Sequence, residues 1–289
     1  MSEKHERTVP AVVGVLGGGR MGAGIAHAFL LAGSKVTVVE RDGQAAEAAQ
    51  ERIERDLAKS LERGTVDGNL DEWSQNLTLS LEYADFAGCD LVVEAVPEVW
   101  DLKVSALQEV ERNLGETAWL ATNTSSLSVD GLAEQLQRPE RFCGLHFFNP
   151  VPASKLVEVV ISKHTGEELK KLSVQWVEGL GKTPVVVNDA PGFASSRLGV
   201  AIALEAIRMV EEGVASPEDI DNAMVLGYKF PVGPLALTDI VGLDVRLGIA
   251  EYLESTLGER FAPPQLMRDM VARGELGRKT GKGFFSYDG

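Results

Sequence analysis

An apolar strand-like run, VVGVL from Val12 to Leu16, leads directly into Gly17, Gly19 and Gly22, and the chain continues as RMGAGIAHAFLLAG with helical composition. Glycines at G-x-G-x-x-G spacing between a strand and a helix each have a separate physical task. Gly17 permits a tight turn, Gly19 lets backbone N–H groups approach a pyrophosphate, and Gly22 allows the new helix to lie against the sheet. The N-terminus of that helix then presents unpaired N–H donors to the phosphate charge. A second apolar run, Val36 to Val39, ends in Glu40, about 18 residues beyond Gly22. A carboxylate there accepts hydrogen bonds from adenosine ribose hydroxyls and repels a 2′-phosphate, which favours NAD. Arg41 follows, and a guanidinium in this place suits the extra phosphate of NADP, so the residues by themselves leave NADP open.

The 289 residues suffice for two domains of ordinary size, and 44% hydrophobic with 25% charged residues is globular composition. No apolar run approaches the roughly 20 residues that cross a bilayer. The leading MSEKHERTVP is polar and lacks a signal-peptide core, and the expected setting is the cytoplasm. Cys89 and Cys143 stand far apart, which suggests neither a disulfide framework nor a metal site. A formal charge of −15 argues against nucleic acid and membranes as partners.

From Gln44 to Arg63 the pattern is that of one long helix, with Ile53, Leu57 and Leu61 four apart and Gly64 as the stop. Its polar face carries Arg52, Arg55, Lys59 and Arg63, either as a solvated surface or as a platform for a phosphate-bearing substrate. Strands are expected at Leu77–Leu81, Leu91–Val93 leading to Glu94, and Trp119–Thr122, with a helix over Asp101–Leu114 between the last two. This alternation implies a mainly parallel sheet, with ligands beyond the carboxyl ends of the strands. The loops that start at Gly17, Glu94 and Asn123 therefore border one crevice.

Two further apolar runs, Gly144–Phe148 and Leu156–Ile161, a helix over Glu167–Leu180 and a last strand at Pro184–Asn188 complete this part. Beyond Asp189-Ala190-Pro191-Gly192 everything has helical periodicity. The expected fold is α/β, an N-terminal Rossmann-type doubly wound sheet followed by an all-α C-terminal domain. The expected limits are a flexible N-terminus over 1–10, a nucleotide-binding domain over 11–189 and a helical domain over 190–289. Helices are predicted at Ser196–Glu212, after an N-cap at Ser216, at Pro234–Leu257 and at Pro264–Ala272. The stretch Leu198–Val210 is apolar around much of its circumference, so it is buried centrally or pairs with another subunit.

His146 and Glu158 each interrupt an apolar run, where a charge is costly, and they flank the connection NPVPAS. A hairpin centred near Pro152 brings them opposite each other, with Cβ atoms about 4.5 to 5.5 Å apart. A histidine held by a glutamate beside a nicotinamide is suited to taking the proton of a secondary alcohol while hydride leaves the same carbon. Glu158 then fixes the tautomer and stabilises the imidazolium. Ser125 and Ser126 follow the strand that ends at Thr122, and either contacts the substrate oxygen or caps the next helix.

In order, the blocks GGGRMGAGIA, VVEAVPE, NTSSLSV, GLHFFNPVPASKLVEVV, PGFASSR and GRKTGKGFFSY resemble those of the short-chain L-3-hydroxyacyl-CoA dehydrogenases, the bacterial 3-hydroxybutyryl-CoA dehydrogenases in particular. The resemblance covers nearly the whole chain. It implies reversible NAD-dependent oxidation of a (3S)-3-hydroxyacyl-CoA, with His146 as general acid and base and Glu158 as its orienting partner. It places Ser125 on the substrate oxygen and Glu94 and Lys103 on the cofactor side. Gly17, Gly19, Arg20, Met21, Gly22, Glu40, Arg41 and Asn123 complete the expected cofactor set. No metal is implied, and the C-terminal helical domain is expected to close over the acyl chain and form a homodimer. The family shows asparagine before arginine in its PGF block, where this chain has Ser196 before Arg197. A serine there still donates a hydrogen bond, with shorter reach.

Overall fold

The computed structural model describes residues 8–287, and the chain divides after Asp189 into two compact units. The expectation of a flexible N-terminus falls largely on residues outside the described range. Val9 and Pro10, assigned to that tail, are instead buried, and the Ser34 hydroxyl donates to Pro10 O at 2.7 Å.

In the first unit the elements follow as β1 (Val12–Leu16), α1 (Arg20–Leu31), β2 (Lys35–Val39), α2 (Gly43–Glu62), α3 (Leu70–Gln75), β3 (Leu77–Ser80), β4 (Leu91–Glu94) and α4 (Trp100–Asn113). Then come β5 (Trp119–Thr122), α5 (Val129–Ala133), β6 (Phe142–Phe147), β7 (Leu156–Ile161), α6 (Glu167–Gly179) and β8 (Thr183–Asn188). They form one eight-stranded sheet of order β3-β2-β1-β4-β5-β6-β7-β8, parallel throughout except where β7 turns back antiparallel to β6. The central strands are apolar along their length because both faces are covered: Val13, Val15, Leu91, Val92 and Val93 have no exposure. Strand order reverses between β1 and β4, and the crevice beyond their carboxyl ends is where an open α/β sheet binds its ligand. This is the doubly wound Rossmann-type fold.

Two local devices aim the first helix at that crevice. Gly17 has φ of +89°, open to glycine at little cost. At Gly22 a Cβ would stand 1.7 Å from Gly17 O, so only glycine lets α1 start this close to the turn it leaves. Along α2, Ala49, Ile53 and Leu57 are fully buried on one stripe, Asp42 Oδ1 caps the start by accepting from Ala45 N at 2.8 Å, and Gly64 with φ of +60° ends it.

The second unit is helical: α7 (Ser195–Glu211), α8 (Pro217–Asn222), α9 (Pro234–Val241), α10 (Leu243–Leu257) and α11 (Gln265–Ala272). Val200, Leu204, Ile207, Leu235, Leu253 and Met267 form its core. The single helix expected over Pro234–Leu257 is in fact two, broken at Gly242, whose φ of +104° lies outside the α-helical range. Apolar periodicity continues on both sides of the break, which is why the sequence reads as continuous. Gly242 N donates to Thr238 O at 2.8 Å, and Leu243 N then donates to Leu276 O at 3.2 Å. The circumference of α7 divides, with Val200, Leu204 and Ile207 inside and Leu198 and Ile202 on the surface. Asp239, almost fully buried, accepts from Phe284 N, Phe285 N and Tyr287 Oη at 2.9–3.0 Å and so fastens the C-terminal segment to α9. Burial and this carboxylate push the Tyr287 phenol up to about 12.

All four tryptophans, Trp73, Trp100, Trp119 and Trp176, belong to the first unit, so their fluorescence reports its unfolding alone. Gly22→Ala drives a methyl into backbone that cannot move without displacing β1 or α1. Urea unfolding followed by tryptophan fluorescence should show a loss of about 1–3 kcal/mol or more. An unchanged midpoint would mean that α1 does not rest on Gly17.

Candidate active site

The glycine turn is held from below by side chains. Gly17 N donates to Val39 O at 2.9 Å, Gly18 N to Glu40 Oε1 at 2.7 Å, and Arg52 Nη1 reaches from α2 to Gly18 O at 2.8 Å. Glu40, whose Oε2 also accepts from Arg41 N at 3.0 Å, thus sits at the end of β2 beside the turn. Helix α1 begins at Gly19 with no side-chain cap and no acidic residue in its first turn, and a Cβ at Gly19 would meet nothing within 4 Å. Uncapped N–H donors over open space, with a carboxylate at the neighbouring strand end, fit the pyrophosphate and ribose of a dinucleotide. Arg20 and Met21 supply the first helical residues over that space, with Arg20 exposed. Arg41 is exposed and turned to Asp42, Nε to Oδ2 at 3.0 Å. Arg52, read from the sequence as part of a basic face, is spent on the turn.

At the carboxyl ends of β4 and β5 lies a network that the sequence reading saw only in part. Glu94 has no exposure, and its carboxylate accepts from Lys103 Nζ and Thr122 Oγ1, each at 2.6 Å, and from Val96 N at 2.7 Å. Lys103, also buried, donates further to Val96 O at 3.2 Å and lies 3.4 Å from Glu98 Oε2. Asn123 Oδ1 accepts from Phe147 N at 2.8 Å and so ties the end of β5 to the end of β6.

Glu98 was missed. Its Oε1 accepts from Thr124 Oγ1 at 2.6 Å, Ser125 N at 2.8 Å, Ser126 N at 2.9 Å and Ser126 Oγ at 3.0 Å, which gives the NTSS loop its shape. The only signal for it was an acid in a loop at the carboxyl edge of the sheet, four residues after Glu94. Ser125 and Ser126 do not cap the next helix; Ser128 does, accepting from Gly131 N at 3.0 Å.

Strands β6 and β7 pair with His146 directly opposite Glu158. Nδ1 of His146 lies 2.8 Å from Glu158 Oε2, with His146 5% and Glu158 0% exposed. An ionised carboxylate only accepts, so Nδ1 carries the proton of this bond and Nε2 is the nitrogen whose protonation can change. The Phe148 ring lies 4.5 Å from the imidazole, centroid to centroid. Ser196 lies in the second unit, in the first turn of α7. Cys89 and Cys143 are buried, and burial pushes both thiols up to about 12, which makes them poor nucleophiles. Among the described residues no group of His, Cys, Asp and Glu could hold a metal, and no helix is long and apolar enough to cross a membrane.

A Rossmann-type crevice with an acid at the end of β2, and a buried histidine–glutamate pair within the same sheet, define a nicotinamide-dependent dehydrogenase. Residues 12–190 match the model of the 3-hydroxyacyl-CoA dehydrogenase NAD binding domain, and residues 192–287 that of the C-terminal domain. The chain belongs to the 3-hydroxyacyl-CoA dehydrogenase family, and NAD is its cofactor. It is 40% identical over 275 residues to a probable 3-hydroxybutyryl-CoA dehydrogenase of Deinococcus radiodurans, covering 95% of this chain and 99% of that one. It is 39% identical to the mitochondrial hydroxyacyl-coenzyme A dehydrogenase of Rattus norvegicus, over 95% of this chain and 90% of that one. The crystal structure of an (S)-3-hydroxybutyryl-CoA dehydrogenase from Ralstonia eutropha superposes with a TM-score of 0.92 at 37% identity, covering 97% of this chain and 100% of that one.

Burial opposes ionisation of Glu98, but the Lys103 charge, the Thr124 hydroxyl and the Ser125 and Ser126 N–H groups outweigh it and lower its pKa. A depressed carboxylate pKa contributes stability above its unfolded value, and that contribution disappears as pH falls through the folded value. Wild type should therefore be more stable than Glu98→Gln at neutral pH, with the gap closing below about pH 4. Urea midpoints measured across pH check this, and a gap independent of pH would contradict it.

Proposed function

We propose that the chain interconverts (3S)-3-hydroxybutyryl-CoA and acetoacetyl-CoA, with His146 moving the proton. The buried His146–Glu158 pair carries this reading. Bound NAD would supply the hydride acceptor for oxidation at the carbinol carbon and the hydride donor for the reverse reaction. His146 Nε2 accepts the hydroxyl proton in oxidation and returns it in reduction. Glu158 holds the ring in one tautomer through Nδ1 and stabilises the imidazolium, an interaction strengthened by the burial of the pair. Ser125, on the loop shaped by Glu98, hydrogen-bonds the substrate oxygen, and Ser196 takes the place of the family asparagine in positioning the thioester. The turn that Gly17 and Gly22 permit would bring Gly19, Arg20 and Met21 to the pyrophosphate, and Glu40 would hold the ribose. Arg41 remains outside, while Glu94, Lys103 and Asn123 shape the nicotinamide end.

Exposed Lys59 on α2 and Arg63 just beyond its end, four apart, meet the CoA phosphates. The second unit forms a homodimer, a reading supported by the exposure of Leu198, Ile202, Val241 and Val245. The chain works in the cytoplasm, in fatty-acid and butanoate metabolism.

Loss of NADH absorbance with acetoacetyl-CoA tests the activity, with NADPH and free acetoacetate run in parallel. Rapid loss with NADH and the thioester alone is expected. Turnover of the free acid instead would replace the substrate, and no turnover of either would remove the reading. His146→Asn should lower kcat by about 10²- to 10⁴-fold with NADH affinity retained; wild-type turnover would exclude His146 as the proton carrier. Lys59→Glu and Arg63→Glu should each raise KM for acetoacetyl-CoA by about tenfold, the loss of ~1.4 kcal/mol of binding. An unchanged KM would place the phosphates elsewhere.

A further inference from the structure

Gly17, Gly18 and Gly19 stand in succession, so no Cβ resists rotation of the peptide units between them. A turn built this way keeps its donors aimed only if something outside it holds its peptides. Gly17 has φ of +89° and Gly19 has φ of −58° and ψ of −168°, and two charged side chains hold what lies between. Glu40 Oε1 accepts from Gly18 N at 2.7 Å, which restrains the peptide that joins Gly17 to Gly18. Arg52 Nη1 donates to Gly18 O at 2.8 Å, which restrains the next peptide, the one that joins Gly18 to Gly19.

The acceptor that Arg52 takes is informative. Glu51, Glu54 and Asp56 stand near it on α2, yet its guanidinium reaches an uncharged carbonyl 34 residues back in the chain. Glu54 Oε1 accepts instead from Gln50 Nε2 at 2.8 Å, and Asp56 lies 3.8 Å from Arg55. A peptide unit is planar and trans, so its C=O and its N–H point in opposite directions. With Gly18 O drawn to Arg52, the Gly19 N–H points away from that side chain, and among the described residues no acceptor meets it. Rotation of this peptide by half a turn would exchange the two groups. A carbonyl oxygen would then repel a phosphate where an N–H binds it.

We infer that Arg52 is a positioning residue for the coenzyme: by holding Gly18 O it keeps the Gly19 N–H aimed at the pyrophosphate, a role exercised through the backbone. This rests on the reading of the glycine turn as the NAD site. The three glycines give the close approach that a pyrophosphate needs, and Arg52 and Glu40 supply the rigidity that glycine lacks.

The experiment measures the Kd of NADH by its fluorescence, together with kcat and KM for acetoacetyl-CoA reduction, in wild type, Arg52→Met and Arg52→Lys, at low and high salt. Met and Lys are both good helix formers, so α2 tolerates either at this half-buried position. Arg52→Met, which lacks the donor, should raise the Kd of NADH by about tenfold at either salt concentration. Arg52→Lys keeps a donor and should stay within about threefold of wild type. The loss should fall on NADH, with KM for acetoacetyl-CoA moving by less than about twofold. An unchanged Kd in Arg52→Met overturns the inference. A loss that disappears at high salt overturns it too, reducing Arg52 to a distant attractive charge. Equal losses in Arg52→Met and Arg52→Lys, or a proportionate rise of KM for both substrates, would assign the residue to helix packing and likewise overturn it. Wild type that binds NADH beside an unchanged Arg52→Met removes this inference alone, whereas wild type that binds no NADH removes the coenzyme site beneath it.

Discussion

A carboxylate shut away from water must find its hydrogen bonds within the protein, and Glu94 at the end of β4 is in that position. Its partners come from three places: Lys103 on α4, Thr122 at the end of β5, and the backbone of Val96 in the loop between β4 and α4. Three segments are thereby held at the carboxyl edge beside the point where strand order reverses. Lys103 reaches on to Glu98, and Glu98 holds Thr124, Ser125 and Ser126. Asn123 extends the same edge to Phe147, next to His146. Breaking such a buried pair by removing one member typically costs about 3–5 kcal/mol, because the other charge remains without compensation. A fully engaged Glu94 acts on the crevice by fixing its walls.

The antiparallel return of β7 along β6 places the second buried pair. In a sheet a register shift of one residue turns every side chain to the opposite face. His146 and Glu158 meet because Leu145 pairs with Val159 and Phe147 with Val157 on either side, apolar positions that fit only one alignment of the two strands. Hydrophobic burial thus sets the geometry of a polar pair. Burial in turn removes competing water and strengthens the Nδ1–Oε2 bond.

Buried charge follows one rule across both units, and its exception is instructive. Glu94, Lys103, Glu158 and Asp239 each have partners that match their charge or donor needs. Arg246 lies in a space vacated by the missing side chain of Gly199, with no carboxylate beside it. The same unit closes its chain end through Asp239 and breaks a helix at Gly242, so its polar interior is built from contacts across long stretches of sequence.

Much of the fold is legible in local pattern. The glycine spacing after VVGVL, the four-residue stripe Ile53, Leu57 and Leu61, and Ser216 before Pro217 depend on neighbours a few residues away, where backbone preference and apolar periodicity act directly. The pairing of His146 with Glu158 was also visible, since the midpoint of two apolar runs defines their register. Gly242 could not be read this way, because apolar spacing persists through a break that only the packing of α9, α10 and Leu276 requires. Glu98 was equally silent, as its partners lie 26 to 28 residues away. The sequence by itself determined most strands and helices and which residue types stand at the glycine turn and the carboxyl end of β2, because those depend on short-range sterics and periodicity. Only the tertiary structure decided which buried charges are satisfied and which, like Arg246, have no carboxylate beside them, because hydrogen-bond partners are chosen by proximity in space.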